Sequence, residues 1–226
     1  MARLAAASLT LAALAAPAAS QAATLGVDRQ CYGPSEPVIF TGTGFTPNGN
    51  VALTTNGRQV GSSTANPVGV FQSALSAPSI SSGERIDPFT ATDTQNQANV
   101  GSTSVRLTAL SVSVSPRSGN PARVRRIKAR GFTRARSLYA HIRGRAKRNI
   151  KIGRLKGPCG TLSRKKRLFK RGTKTGSYRV QLDGSRRYKA STTPRVAFNV
   201  TVFRVFRPSP RGAGVAALGE RWERID

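Results

Sequence analysis

The stretch Val38-Ile39-Phe40-Thr41-Gly42-Thr43-Gly44-Phe45-Thr46 returns later in the chain as Arg126-Ile127-Lys128-Ala129-Arg130-Gly131-Phe132-Thr133, with the Gly-Phe-Thr triplets 87 residues apart. Each copy is followed at the same offset by a short apolar stretch, Val51-Ala52-Leu53 in the first and Leu138-Tyr139-Ala140 in the second. Residues alternating with period two place one face of a strand inward and the other outward. The interval is far longer than the roughly 20–50 residues of a solenoid repeat. It is close to the ~100 residues of a small two-sheet sandwich. The echo therefore predicts a β domain present twice.

Working outward, the first half offers strands at Val38–Thr41, Val51–Thr54, Val70–Ala74, Phe89–Thr92 and Val100–Leu107. Asn48-Gly49-Asn50, Asn56-Gly57 and Ser82-Gly83 punctuate them as turns. The second half offers Leu110–Val114, Leu138–Ile142, Asn149–Ile152, Tyr178–Leu182 and Val196–Phe206. From residue 23 to 206 nothing shows the 3.6-residue period of a long amphipathic helix. Thr108–Ala109 is the expected boundary, which gives domains at residues 24–107 and 108–206. A Pro- and Gly-bearing linker then leads to a C-terminal tail, residues 207–226.

Charge divides at the same boundary. The chain of 226 residues carries 37 Lys and Arg, 9 Asp and Glu, and a net +28. Residues 1–107 hold five of each sign and net to zero. Residues 108–226 hold 32 basic residues against Asp183, Glu220, Glu223 and Asp226, so this half alone accounts for the +28. A neutral module joined to a strongly cationic one suggests a scaffold and a surface for anionic polymers.

The N-terminus has the anatomy of a signal peptide, residues 1–22. Arg3 supplies the charge, Leu4–Ala16 the apolar run, and Ser20-Gln21-Ala22 a small-residue cleavage site. The run is shorter than the roughly 18–20 residues of a membrane span, and no second one follows. The expectation is a secreted or cell-surface protein without an integral span after cleavage. Cys31 and Cys159 would meet oxidising conditions, where they form either one bridge joining the two halves or two separate thiols. Spacing alone does not decide between these.

The phrase Val38–Pro47, followed by Gly49-Asn50-Val51-Ala52-Leu53, resembles the opening strands of bacterial immunoglobulin-like domains, including the IPT/TIG group. The second half is similar to a related secreted module through Ala129-Arg130-Gly131-Phe132, Leu138–Ile142, Gly157-Pro158-Cys159-Gly160 and Gly176–Asp183. The resemblance spans about residues 24–206. It implies two tandem immunoglobulin-like β-sandwiches with a role in adhesion, display or spacing, and no catalytic residues.

The residues with chemistry to offer are basic. Arg164-Lys165-Lys166-Arg167, with Lys170 and Arg171, is the densest run. Arg125 and Arg126, then Arg143, Arg145 and Arg148, then Arg186 and Arg187, form three further clusters. Arg grips phosphate or carboxylate through paired hydrogen bonds better than a lysine point charge does. These thirteen residues are the expected polyanion-binding set. The ligands expected are cell-wall polymer, acidic polysaccharide or extracellular DNA, with non-specific nucleic-acid binding as a by-product. The competing reading is a solvated basic surface on an adhesive spacer or protein-binding module. Tyr178, in Gly176-Ser177-Tyr178-Arg179-Val180, reads as a late-strand tyrosine anchoring the sandwich.

Enzymatic readings lack parts. His141 is the single histidine, and a Ser or Cys nucleophile would need it as base with a carboxylate to orient it. Asp183 is the one acid before the tail in the basic half. Glu84 and Asp87 sit beside a turn and are expected to be solvated. No metal-ligand spacing or phosphate-binding glycine loop is present in the sequence, so the expectation is a non-enzymatic protein without a cofactor.

Overall fold

The computed structural model describes residues 22–204, in which every regular element is a strand. The expected signal peptide, but for Ala22, and the tail lie outside those residues. The first half contains β1 (Thr24–Val27), β2 (Pro37–Thr43), β3 (Asn50–Thr55), β4 (Arg58–Thr64), β5 (Phe71–Ser76), β6 (Glu84–Asp93) and β7 (Val100–Thr108). The second contains β8 (Ser111–Ser115), β9 (Ser118–Gly119), β10 (Val124–Arg130), β11 (Ser137–Arg143), β12 (Arg148–Arg154), β13 (Leu162–Arg167), β14 (Gly176–Asp183) and β15 (Arg195–Val202).

Both halves use one plan. In the first, a sheet ordered β1-β2-β5 faces one ordered β4-β3-β6-β7; in the second, β8-β10-β13 faces β12-β11-β14-β15, with β9 added at the edge. Each pair of sheets closes on its own apolar core. Val38, Phe40, Leu53, Phe89 and Val105 pack in one, and Ile127, Leu138, Ile142, Val180 and Val200 in the other. Three strands against four or five, all antiparallel except at β9, make an immunoglobulin-like β-sandwich.

The Gly-Phe-Thr echo marks one corner made twice. Gly44 and Gly131 adopt φ of 81° and 86°, a left-handed turn that side chains with a Cβ resist. That turn drives Phe45 and Phe132 into the two cores. Tyr178, buried on β14, donates its hydroxyl proton to the Lys174 carbonyl at 2.7 Å, as a tyrosine corner does.

Sequence and structure part where strands are polar. β1, β4, β9 and β13 were not expected as strands; Ser118-Gly119, read as part of a turn, instead pairs with β15. β4 and β13 lie at sheet edges and show solvent on nearly every residue, so neither carries an alternating signal. The last strand ends at Val202, short of the expected Phe206. Asp87 is buried and paired with Arg85 at 2.7 Å, so the expected solvated carboxylate is instead a partner inside β6.

Of the two alternatives left open for the cysteines, the structure has the bridge: Cys31 and Cys159 are joined, with Cα atoms 5.2 Å apart. Around it Glu36 gathers contacts from both halves. Its carboxylate accepts from Thr133 Oγ1 at 2.7 Å, Arg29 Nη1 at 3.0 Å and Gly33 N at 3.1 Å. Burial pushes the Glu36 carboxyl up, but these donors outweigh it and hold the group below its ordinary range.

Candidate functional site

Pleating decides which cations reach solvent. On β10, Ile127 and Ala129 point into the core, so Arg126, Lys128 and Arg130 point out. Two residues of antiparallel strand advance about 6.8 Å, and the three cations therefore form a regular column. Register places Ser115, Ser113 and Ser111 of β8 beside them on one side, and Lys165 and Ser163 of β13 beside Arg126 and Lys128 on the other. Arg167 lies on the same face, opposite Val124. Arg126 thus directly faces Lys165, a like-charge cross-strand pair that disfavours the sheet unless a counter-charge is present.

The face continues into a groove of about 1280 Å³ lined by Lys128, Arg130, Arg154, Lys156 and Arg164, with hydroxyls from Ser111, Ser113, Thr161 and Ser163. No carboxylate lines it. Arg130 is drawn toward Glu84 of the first half, 3.8 Å away.

The thirteen expected residues do not form one site. Arg126, Lys165 and Arg167 share the outer face of β8-β10-β13, while Arg164 and Lys166 project from the other side of edge strand β13. Lys170 and Arg171 follow in the exposed turn before β14, and Arg145 and Arg148 belong to the β11–β12 hairpin. Arg186 and Arg187 lie on the loop between β14 and β15. Arg143 is committed internally: it lies 3.9 Å over the Tyr188 ring and donates to the Ile142 carbonyl and Asn149 Oδ1. Lys128, Arg130, Arg154 and Lys156, outside the expected set, complete the face and groove.

Arg125 is a correction. The alternation that exposes Arg126 turns Arg125 inward, where it is fully buried and lies 5.2 Å from the Phe169 ring centroid. Nη1 donates to the Arg123 carbonyl, while Nε and Nη2 have no partner. Burial, with a smaller contribution from the Arg123 charge, pulls its pKa down. A side chain closed off from solvent cannot touch a polymer on the surface.

On the opposite face of the sandwich, polar residues of β11 and β14 are buried beneath the β14–β15 loop. His141 Nε2 faces Asp183 Oδ1 at 3.1 Å and the Ser185 carbonyl at 3.0 Å. Its Nδ1 faces Asn149 Oδ1 at 3.0 Å, an oxygen that also accepts from Arg143. Ser185 N donates to Asp183 Oδ1, and Gln181 Nε2 donates to Asp183 Oδ2 and to the Lys189 carbonyl. Sequence reading singled out His141 and Asp183 but not the network around them, because Gln181 and Asn149 carry no signal until register sets them alongside.

A histidine next to an aspartate is the half of a catalytic triad that orients a base. Here both ring nitrogens are engaged by acceptors, and His141 and Asp183 are closed to solvent. The nearby Ser185 hydroxyl donates instead to the Arg187 carbonyl. The geometry holds a loop in place. Among the described residues no group of three or more His, Cys, Asp or Glu side chains comes together to hold a metal ion, and no helix is long and apolar enough to cross a membrane.

No family model matches the sequence, and no curated protein matches it. Among solved structures, the chain is similar to an alpha-2-macroglobulin of Salmonella, at 14% identity and a TM-score of 0.29. That likeness covers 84% of this chain but 15% of the macroglobulin. It is also similar to the human OSCAR ligand-binding domain, at 12% identity and a TM-score of 0.34, over 81% of this chain and 99% of that domain. Both superpositions are loose; the all-β, immunoglobulin-like character of the chain rests on its strand order.

Proposed function

We propose that this is an exported, non-enzymatic protein of two tandem immunoglobulin-like domains of IPT/TIG type, whose basic second domain docks on an anionic polymer of the cell surface. The observation that carries this reading is the face of β8-β10-β13, whose own strands carry no acid, with Arg126 set directly across from Lys165. Among the described residues of the basic half the sole acid is Asp183, and it is buried and fully hydrogen-bonded. Among its described residues nothing therefore offsets that field, and an external polyanion would. Wall polymer, acidic polysaccharide and extracellular DNA all present such charge in series. A disulfide between the halves fits export to an oxidising compartment.

A spacer or protein-binding module is the second reading, favoured by one observation. β13 is an edge strand, and Lys or Arg on an edge discourages strand-to-strand aggregation without any ligand.

Titration of the protein against duplex DNA and against a poly(glycerol phosphate) at several salt concentrations tests the docking reading. If Arg126, Lys128, Arg130, Lys165 and Arg167 all engage phosphates, log affinity for duplex DNA falls linearly with log salt at a slope of about −4 to −5. No binding to either polymer at low salt would leave the spacer reading standing.

A further inference from the structure

The outer face of β12-β11-β14-β15 carries a second hollow, across the sandwich from the face above. Its volume is about 710 Å³ and it is lined by Tyr139, Asn149, Lys151, Arg186 and Arg187. Tyr139 and Lys151 are cross-strand partners, and Asn149 lies two pairs along on the same face, opposite His141. Ring, ammonium and amide are thus mounted on strands. The two arginines come from the loop that joins β14 to β15, running from Gly184 to Pro194.

Neighbouring antiparallel strands need only a turn of two to five residues. This longer loop is fastened by three buried side chains whose bonds to it all run to backbone. Asp183 accepts from Ser185 N, His141 faces the Ser185 carbonyl, and Gln181 donates to the Lys189 carbonyl. Burying polar groups is justified only when each is satisfied, and here that satisfaction fixes where Arg186 and Arg187 begin.

The hydrogen-bonding character of the hollow follows by count. Asp183, the one nearby carboxylate, has both oxygens occupied. Asn149 Oδ1 is taken by His141 and Arg143, which leaves the amide NH₂ for the hollow. Lys151, Arg186 and Arg187 add only donors. A ligand must therefore be anionic and rich in acceptors. Tyr139 offers a flat apolar face that a bare anion would not use. A nucleobase would bring amino donors to a lining that gives them little to meet.

We propose that this hollow binds an acidic sugar residue, a hexose bearing a carboxylate or a phosphate. The acid group sits in the guanidinium forks and the ring lies against Tyr139. Its volume falls in the range of small-ligand pockets, roughly 300–1,000 Å³. The site is independent of polymer docking on β8-β10-β13, because the two faces point opposite ways.

Calorimetric titration of the full chain with methyl glucuronide, glucose 6-phosphate, glucose and inorganic phosphate tests the proposal. One or both acidic sugars should bind saturably with one site per chain, and the tighter of the two identifies the acid. Glucose and inorganic phosphate should each bind at least about tenfold more weakly, a difference of about 1.4 kcal/mol. Arg186→Ser with Arg187→Ser, on an exposed loop, should lower sugar-acid affinity about tenfold. Tyr139→Leu should remove the preference for sugar acid over phosphate. The variant Arg126→Gln with Lys165→Gln should bind the sugar acid as the parent does, whatever becomes of polymer docking. Inorganic phosphate binding as tightly as the acidic sugars would overturn the proposal, as would unchanged affinity in the double arginine variant.

Discussion

At the residue scale, the fate of a charge depends on which side of a strand it occupies. Asp93 at the end of β6 is fully buried and accepts backbone N–H bonds from Thr46 at 2.7 Å, Gln95 at 2.9 Å and Asn96 at 3.3 Å. Burial pushes its carboxyl up, but the Thr46 side chain together with these backbone bonds outweighs burial and pulls it from 3.8 down to about 2. A carboxyl held lower in the folded state stabilises the fold above its unfolded value, and that contribution is lost as pH falls from about 4 towards 2. Thermal melts should accordingly show the midpoint dropping across that interval, with a smaller drop in Asp93→Asn. At neutral pH the substitution should cost about 1.5–3 kcal/mol, the range for hydrogen bonds to a charged group. An unchanged acid profile in the variant would mean that other carboxylates control it. Arg125 teaches the same lesson with the opposite charge. Counting it among surface cations overlooked that Ile127 and Ala129 put its side of β10 inward.

At the scale of elements, legibility followed burial. The strands read from sequence, β2, β3, β5, β6, β7, β8, β11, β12, β14 and β15, each set a buried residue against the core. β13 was met only as a run of charges, since five of its six residues face solvent. The cationic face was therefore half legible: its residues were named, but not their arrangement, which depends on β13 pairing with β10. Of the hollow beneath the β14–β15 loop only Arg186 and Arg187 were named from sequence; that Tyr139, Asn149 and Lys151 join them was not legible, because register brings them together. The disulfide is an element-scale device too, as it closes a loop across a sequence separation of 128 residues. Replacing Cys31 and Cys159 with serine should lower stability by about 2–4 kcal/mol in denaturant unfolding, through the larger entropy of the unclosed chain. A change under about 0.5 kcal/mol would show that the Glu36 contacts and the short Ala109–Leu110 link already hold the halves together.

For the whole molecule, one strand order serves two surfaces of different character. The first half pairs its acids internally or at the junction, as with Arg85–Asp87 and Arg29–Glu36, and its exposed face stays near neutral. The second half has almost no acid to pair and displays its cations. The central claim is that polymer docking belongs to the β8-β10-β13 face, and not to overall charge. It is tested most directly by DNA and poly(glycerol phosphate) affinity in two triple variants of equal net charge. One carries Arg126→Gln, Lys128→Gln and Lys165→Gln on the face. The other carries Arg136→Gln, Arg179→Gln and Arg195→Gln, which are exposed elsewhere on the same half. The account predicts that the face variant loses at least about tenfold in affinity and about three units of salt slope for duplex DNA, while the other stays within a few-fold of the parent. Equal losses in both would contradict it and reduce the basic half to a diffuse field without a site.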